Sequence, residues 1–257
     1  MVDQYVIQCE DSLEGMFTAI YEAFVIKKET CDSWGEHIRI SIGDGDNYSL
    51  FTDDITVDTD REKAGKVIDT IQKKVGFRAY YSIFAALCHF DSERATVCFR
   101  YLIRAFRVGA RIEEYLSDPY VMRVMEYSRK VSNEVDKLKG FLRFRDMGKF
   151  LYAQTEPKVN ALPLMISHFE DRYPNEHFVI YDERRRLAAI HQAYHASVFM
   201  YDEAFHLDLS KSRDEFEVLW KQYFQTMEIK PRHNERCQNN LCPKWYRNTM
   251  IEFAKDA

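Results

Sequence analysis

Between Gly140 and Arg172 the sequence GFLRFRDMGKFLYAQTEPKVNALPLMISHFEDR gathers Arg143, Arg145, Glu156, His168 and Arg172. Arginine suits an anion because its planar fork presents two parallel donors to phosphate or carboxylate. Histidine exchanges a proton near neutral pH, and a carboxylate such as Glu156 can take or return it. The group is therefore read as a phosphate grip in which His168 and Glu156 are the candidates for proton transfer. A plainer alternative stands beside it: an antiparallel sheet with one wet face, followed by a surface His and Arg.

These residues must be positioned by their elements. FLRFR, a DMGK turn and FLYAQT alternate like a hairpin, which puts Phe141, Arg143 and Arg145 on one face with Tyr152 and Gln154 opposite. NALPLMISHFEDR has a helical stripe of Leu162, Met165, Ile166 and Phe169, with His168 and Arg172 at its border. A second hairpin, HFVIYD–ERRR–LAAIH, a strand in HASVFMYDE and an amphipathic helix over SRDEFEVLWKQYFQTM complete this part.

Upstream, QYVIQCE reads as a strand and DSLEGMFTAIYEAFVIKK as a helix capped by Asp11 with Glu14. EHIRISIG and two short strands near Tyr48–Phe51 and Ile55–Val57 make a βαββ unit over residues 1–59. Residues 60–139 are helical throughout, with a serine cap before RATVCF, a buried helix in FRAYYSIFAALCHF, and Pro119 opening the last helix. Residues 140–257 form an α+β core with an antiparallel sheet, packed helices and a basic, aromatic tail. The class is α+β, folded as one domain or as two intimately packed ones.

Three further groups carry charge. Arg100, Arg104, Arg107 and Arg111 follow at steps of 4, 3 and 4, within about 60° of one helix face. They would welcome a nucleic-acid phosphate or carboxylates from elsewhere in the fold. Arg184–Arg185–Arg186 marks a hairpin tip. In the tail Lys230, Arg232, Arg236, Lys244 and Arg247 face one acid, Glu235, with Trp245 and Tyr246 interleaved. That composition tracks a nucleic-acid backbone and stacks bases, and equally describes a tail clamped onto its own domain.

The 257 residues carry a net charge of −5, which excludes a strongly basic histone-like binder but not a local phosphate face. No apolar run reaches a membrane span and no secretion signal opens the chain, so a cytoplasmic location without membrane attachment is expected. The six cysteines are scattered as reduced thiols would be. Cys237 and Cys242, with His233, make at most half a metal site, so no metal and no cofactor are expected. GxGxxG, P-loop, GxSxG and HExxH signatures are absent.

The block from Gly140 through RRLA resembles the core of a bacterial family labelled "probable DNA metabolism protein", and DSLEGMFTAIYEAF and RHNERCQNNLCPKWYRN resemble its terminal patterns. Its members accompany a radical-SAM protein of DNA repair or modification, and a related domain is sometimes joined to a uracil-DNA-glycosylase-like one. Relatives tend to carry Leu and Met at the positions of Cys237 and Cys242, which makes these apolar positions rather than ligands. The resemblance implies a role in DNA metabolism with single-stranded or damaged DNA and a radical-SAM partner. It assigns no reaction. Three functions stay open: a binder of DNA or nucleotide phosphate, a hydrolase on a damaged nucleotide, and a pure interaction module.

Overall fold

A computed structural model of the chain describes residues 4–43, 52–201, 215–227 and 229–253. Its class is α+β. Contacts divide the chain into two units, Met1–Ser132 and Asn133–Ala257. No described helix is long and apolar enough to cross a membrane.

The first unit is built on three strands, β1 (Gln4–Cys9), β2 (Ile38–Ile42) and β3 (Thr52–Thr56), in the order β2-β1-β3 and all parallel. Parallel neighbours need crossovers, and α1 (Leu13–Glu29) supplies the first. Ser12, not Asp11, caps α1 by accepting from Gly15 N–H; Asp11 instead pairs with Arg94. The expected strand near Tyr48–Phe51 lies outside the described residues.

Helices α2 (Arg61–Lys74), α3 (Phe77–Leu87), α4 (Arg94–Val108) and the start of α5 (Pro119–Phe141) complete this unit. Asp60 caps α2 as its side chain accepts from Glu62 and Lys63 N–H. The serine expected before α4 makes no cap there. Glu93 holds the cap position, and the Asp91 carboxylate accepts Glu93 N–H. Helix α3 is not buried all round: Ala79, Ser82, Ile83 and Ala86 face the core, whereas Phe77 and Tyr81 emerge on the opposite side. Thr96 on α4 closes the free edge of β2, donating to Ile40 C=O at 3.1 Å and accepting Ile40 N–H at 2.9 Å.

In the second unit α5 continues to Phe141. Leu138, Phe141 and Leu142 extend its apolar stripe, so the expected strand FLRFR shrinks to β4 (Arg145–Asp146), paired with β5 (Leu151–Thr155). Phe141, Arg143 and Arg145 therefore share no strand face, although Arg145 does lie opposite Tyr152. Helix α6 (Leu162–Arg172) crosses to β6 (Phe178–Asp182), which makes β5 and β6 parallel. β7 (Leu187–His191) and β8 (Val198–Tyr201) follow antiparallel, giving the order β4-β5-β6-β7-β8. Phe178, Ile180 and Ala189 are fully buried at its centre. Helices α7 (Glu215–Thr226) and α8 (Glu235–Leu241) and two 3-10 turns, Lys244–Thr249 and Ile251–Phe253, end the described chain.

His89, in the first unit, is buried with its ring stacked 4.2 Å from both Phe90 and Tyr127. Burial, helped by the Lys130 and Arg94 charges, pushes its imidazole below the ordinary value, against the opposite pull of Asp91 and Glu126. A folded pKa below the unfolded one means the unfolded chain takes the proton first. Stability is then full above the unfolded value and lost as pH falls through the folded one. Urea midpoints should therefore drop between about pH 7 and about pH 5, and His89→Phe, which keeps the stack without the charge, should drop less.

Candidate nucleic-acid interface

In the second unit a cleft of about 610 Å³ is lined by residues from four places. The segment after α5 gives Leu142, Arg143 and Phe144, and the end of α6 gives Arg172 with Tyr173. α7 contributes Phe216, Glu217, Leu219, Trp220 and Tyr223, and the last turn contributes Ile251. The wall forms because Phe144 leaves the helix to pack edge-on against Phe169, Tyr173 and Phe178, at 5.3–5.7 Å between centroids. Arg143 turns instead toward α7 and the tail.

Arg143 donates from Nε (3.2 Å) and Nη2 (2.9 Å) to the Glu252 carboxylate, whose side chain is only 2% exposed. Its guanidinium also lies 5.7 Å from the centroid of the Trp220 ring. Arg145 faces Glu217 of α7 at 3.8 Å, an ion pair beyond hydrogen-bond reach. Arg172 is exposed; its Nε donates to the Tyr173 hydroxyl at 3.2 Å, and it has no carboxylate partner among the described residues. Trp220 and Tyr223 stack 5.8 Å apart, one turn along α7.

The cleft thus joins Arg143 and Arg172, with Arg145 one ion pair behind it. It does not include the expected proton-transfer pair. Half-buried His168 lies edge-on to Phe169, while Glu156 pairs with Arg184 at 3.3 Å and lines a narrow crevice beside Trp245 and Tyr246. Of the tail residues, Tyr246 is buried against Phe141, centroids 5.2 Å apart, and Trp245 packs on it at 3.8 Å with Lys158 over its ring. Tyr246 is thus buried in the clamp, and Trp245 is half-buried against it. Arg232 is exposed in a 3-10 turn.

Arg100, Arg104, Arg107 and Arg185 have internal partners. In the first unit Arg107 lies 3.7 Å over Trp34 and donates to Ser33 C=O. Arg104 pairs with Asp118 and packs on Trp34 and Tyr120, and Arg100 bonds the Tyr120 hydroxyl and Glu36 C=O. The ladder pins the loop before β2 to α4. Gly35 in that loop has φ +67°, and a Cβ there would come within 2.7 Å of Phe99. In the second unit Arg185, the middle of the triple arginine, grips fully buried Asp182 and the carbonyls of Pro157 and Lys158. Burial pushes the Asp182 carboxyl up, and Arg185 opposes that. A separate cleft of about 720 Å³ in the first unit, beside β3 and α2, mixes Glu22, Asp58, Asp60 and Glu62 with Arg61 and Lys63, and its Lys63 is already held by Glu22 at 2.7 Å.

Sequence reasoning missed Glu217, Trp220, Tyr223 and Glu252. The spacing of Phe216, Trp220 and Tyr223 is that of an ordinary core-facing stripe, and all three are instead exposed. That exposure is visible only in three dimensions. For Glu252, five residues from the end of the chain, no sequence signal distinguishes it.

Residues 92–252 match the model of a family described as a domain of unknown function, DUF4130; this covers more than half of the chain, which belongs to that family. No curated protein matches the chain.

The two arginines of the cleft should respond differently to removal. Arg143→Ala strands a buried carboxylate and should cost about 3–5 kcal/mol in urea unfolding. Arg172→Ala removes an exposed side chain and should cost under about 0.5 kcal/mol.

Proposed function

We propose that this member of the DUF4130 family acts in DNA repair or modification by holding single-stranded or damaged DNA in the cleft between α6 and α7. The observation that carries the reading is the combination in one cleft of exposed Arg172 with Tyr173, Trp220 and Tyr223. Arginine holds a phosphate oxygen while an exposed ring takes the face of an unpaired base, whatever its sequence. A duplex offers no free base faces, so the cleft favours unpaired DNA. The volume falls in the range of small-molecule sites, roughly 300–1,000 Å³.

The chain's part is to bind and present; the bond-breaking chemistry belongs to a radical-SAM partner. That assignment rests on the resemblance of the Gly140–Ala188 block and its flanking patterns. A second reading, a pure interaction module, draws on the exposed apolar side chains of α7, among them Val218 and Leu219.

Titration of a labelled single-stranded oligonucleotide separates the two. With few phosphate contacts on a body of net charge −5, binding should be weak and salt-sensitive. Each phosphate held should contribute a slope of about −0.7 in log K against log salt. Arg172→Ala should weaken binding roughly tenfold, the loss expected for one bond to an ionised group. No binding at low salt, with or without the partner, would leave the interaction module.

A further inference from the structure

The acceptor in the cleft is a feature that phosphate binding does not use. Glu217 lines the cleft, on the same helix as Trp220 and one turn away from it. Among the described residues its carboxylate meets Arg145 alone, at 3.8 Å, which is too long for a hydrogen bond. Both oxygens therefore keep their acceptor capacity while the arginine offsets the charge from behind. An ionised carboxylate is acceptor-only and takes two parallel donors side by side. Rings that could cover the faces of a planar ligand stand around it, namely Tyr173, Phe216, Trp220 and Tyr223.

Donor pattern selects the ligand. On the Watson–Crick edge guanine presents N1–H and the N2 amino group as adjacent donors. Cytosine and adenine each set one amino group beside an acceptor nitrogen, and thymine sets one N–H between two carbonyls. Only guanine meets both oxygens of a carboxylate without placing an acceptor against one of them. A cationic peptide side chain would also be drawn to Glu217, but Arg145 already offsets that charge and Arg172 lines the same cleft.

We propose that the cleft is a guanine slot: an unpaired guanine lies with its face on the aromatic rings of the wall, Glu217 accepts from N1–H and N2–H, and Arg172 holds the adjoining phosphate. This rests on the DNA-binding reading above and gives that site its base preference. Glu217 is a binding residue here, with no role in bond breaking.

The test uses the full chain and four labelled oligothymidylates that differ at one central position, which is thymine, cytosine, adenine or guanine. Anisotropy titrations should show the guanine oligonucleotide bound about tenfold more tightly than the other three, the discrimination of one good bidentate pair. Glu217→Gln, which replaces one acceptor oxygen by a donor, should erase that ratio, with circular dichroism confirming the native fold. Free dGMP should compete better than dTMP. Equal binding of all four oligonucleotides overturns the guanine slot and leaves DNA binding standing. A preference that survives in Glu217→Gln likewise overturns it. Binding of none of them brings down the DNA-binding reading itself, and the slot with it.

Discussion

A buried carboxylate that has lost its water must find a cation, and in the second unit Glu252 finds Arg143. Leaving an ion this deeply buried without a partner costs several kcal/mol, so the last turn of the described chain and the segment after α5 are fixed relative to each other. Much of the local arrangement follows. With Glu252 seated, Ile251 and Met250 are buried and Tyr246 reaches Phe141. With Arg143 turned toward the tail, Phe144 is committed to the opposite side, among Phe169, Tyr173 and Phe178. The cleft lies where these commitments leave a gap, and α7 supplies its remaining wall. A hydrophobic pair of the same size would hold the tail as firmly. The ion pair adds geometric choice, because Nε and Nη2 of one planar group must both reach the same oxygen, Oε1.

Seen this way, the arginines divide by what they touch rather than by where they fall in the sequence. Arg100, Arg104 and Arg107 share a helix face as their spacing requires, yet each is met by an aromatic ring, a carbonyl or a carboxylate of its own unit. Arg185 is a strut under the loop after β5, although it sits in a run of three arginines that reads as a solvated tip. Among the described residues Arg172 has the hydroxyl and ring of Tyr173 beside it, and it stands exposed. Charge patterning locates arginines on a face; it does not reveal which carboxylates and carbonyls the fold brings to them.

The same limit explains what was legible in the chain. Periodicity placed α6 and the pair β6–β7 closely, because Leu162, Met165, Ile166 and Phe169 make an unbroken stripe and HFVIYD and LAAIH are short, apolar and separated by a polar turn. It failed at FLRFR, where two alternating apolar residues after a glycine look like a strand although the stripe of α5 carries on through Gly140. Gly costs a helix only about 1 kcal/mol near its end, less than burying Phe141 and Leu142 returns. Caps slipped by one residue because Asp11 and Ser12 are both good N-caps, and the tie from Asp11 to Arg94, 83 positions away, removes one candidate. Of the candidate site, Arg143 and Arg172 came together and His168 with Glu156 did not. The partners that give the cleft its character, Glu217 and Trp220, come from a helix more than 40 positions downstream.

What the cleft can bind follows from how little of its charge is uncommitted. Arg143 is neutralised by Glu252 and Arg145 is opposed by Glu217, so among the described residues Arg172 is the one of the three that offers its cation to solvent without a carboxylate beside it. A phosphate held by a single exposed arginine is held weakly, since water competes for the same donors. The larger share of any affinity must then come from covering ring faces. Trp220, Tyr223 and Phe216 are exposed on one side of α7, and covering such area is favourable in the absence of any charge. A site of this balance discriminates by the shape and edge of a planar group more than by the number of its phosphates. On the proposed DNA-binding reading, its ligand is better sought among unpaired bases than among polyphosphates or long duplexes.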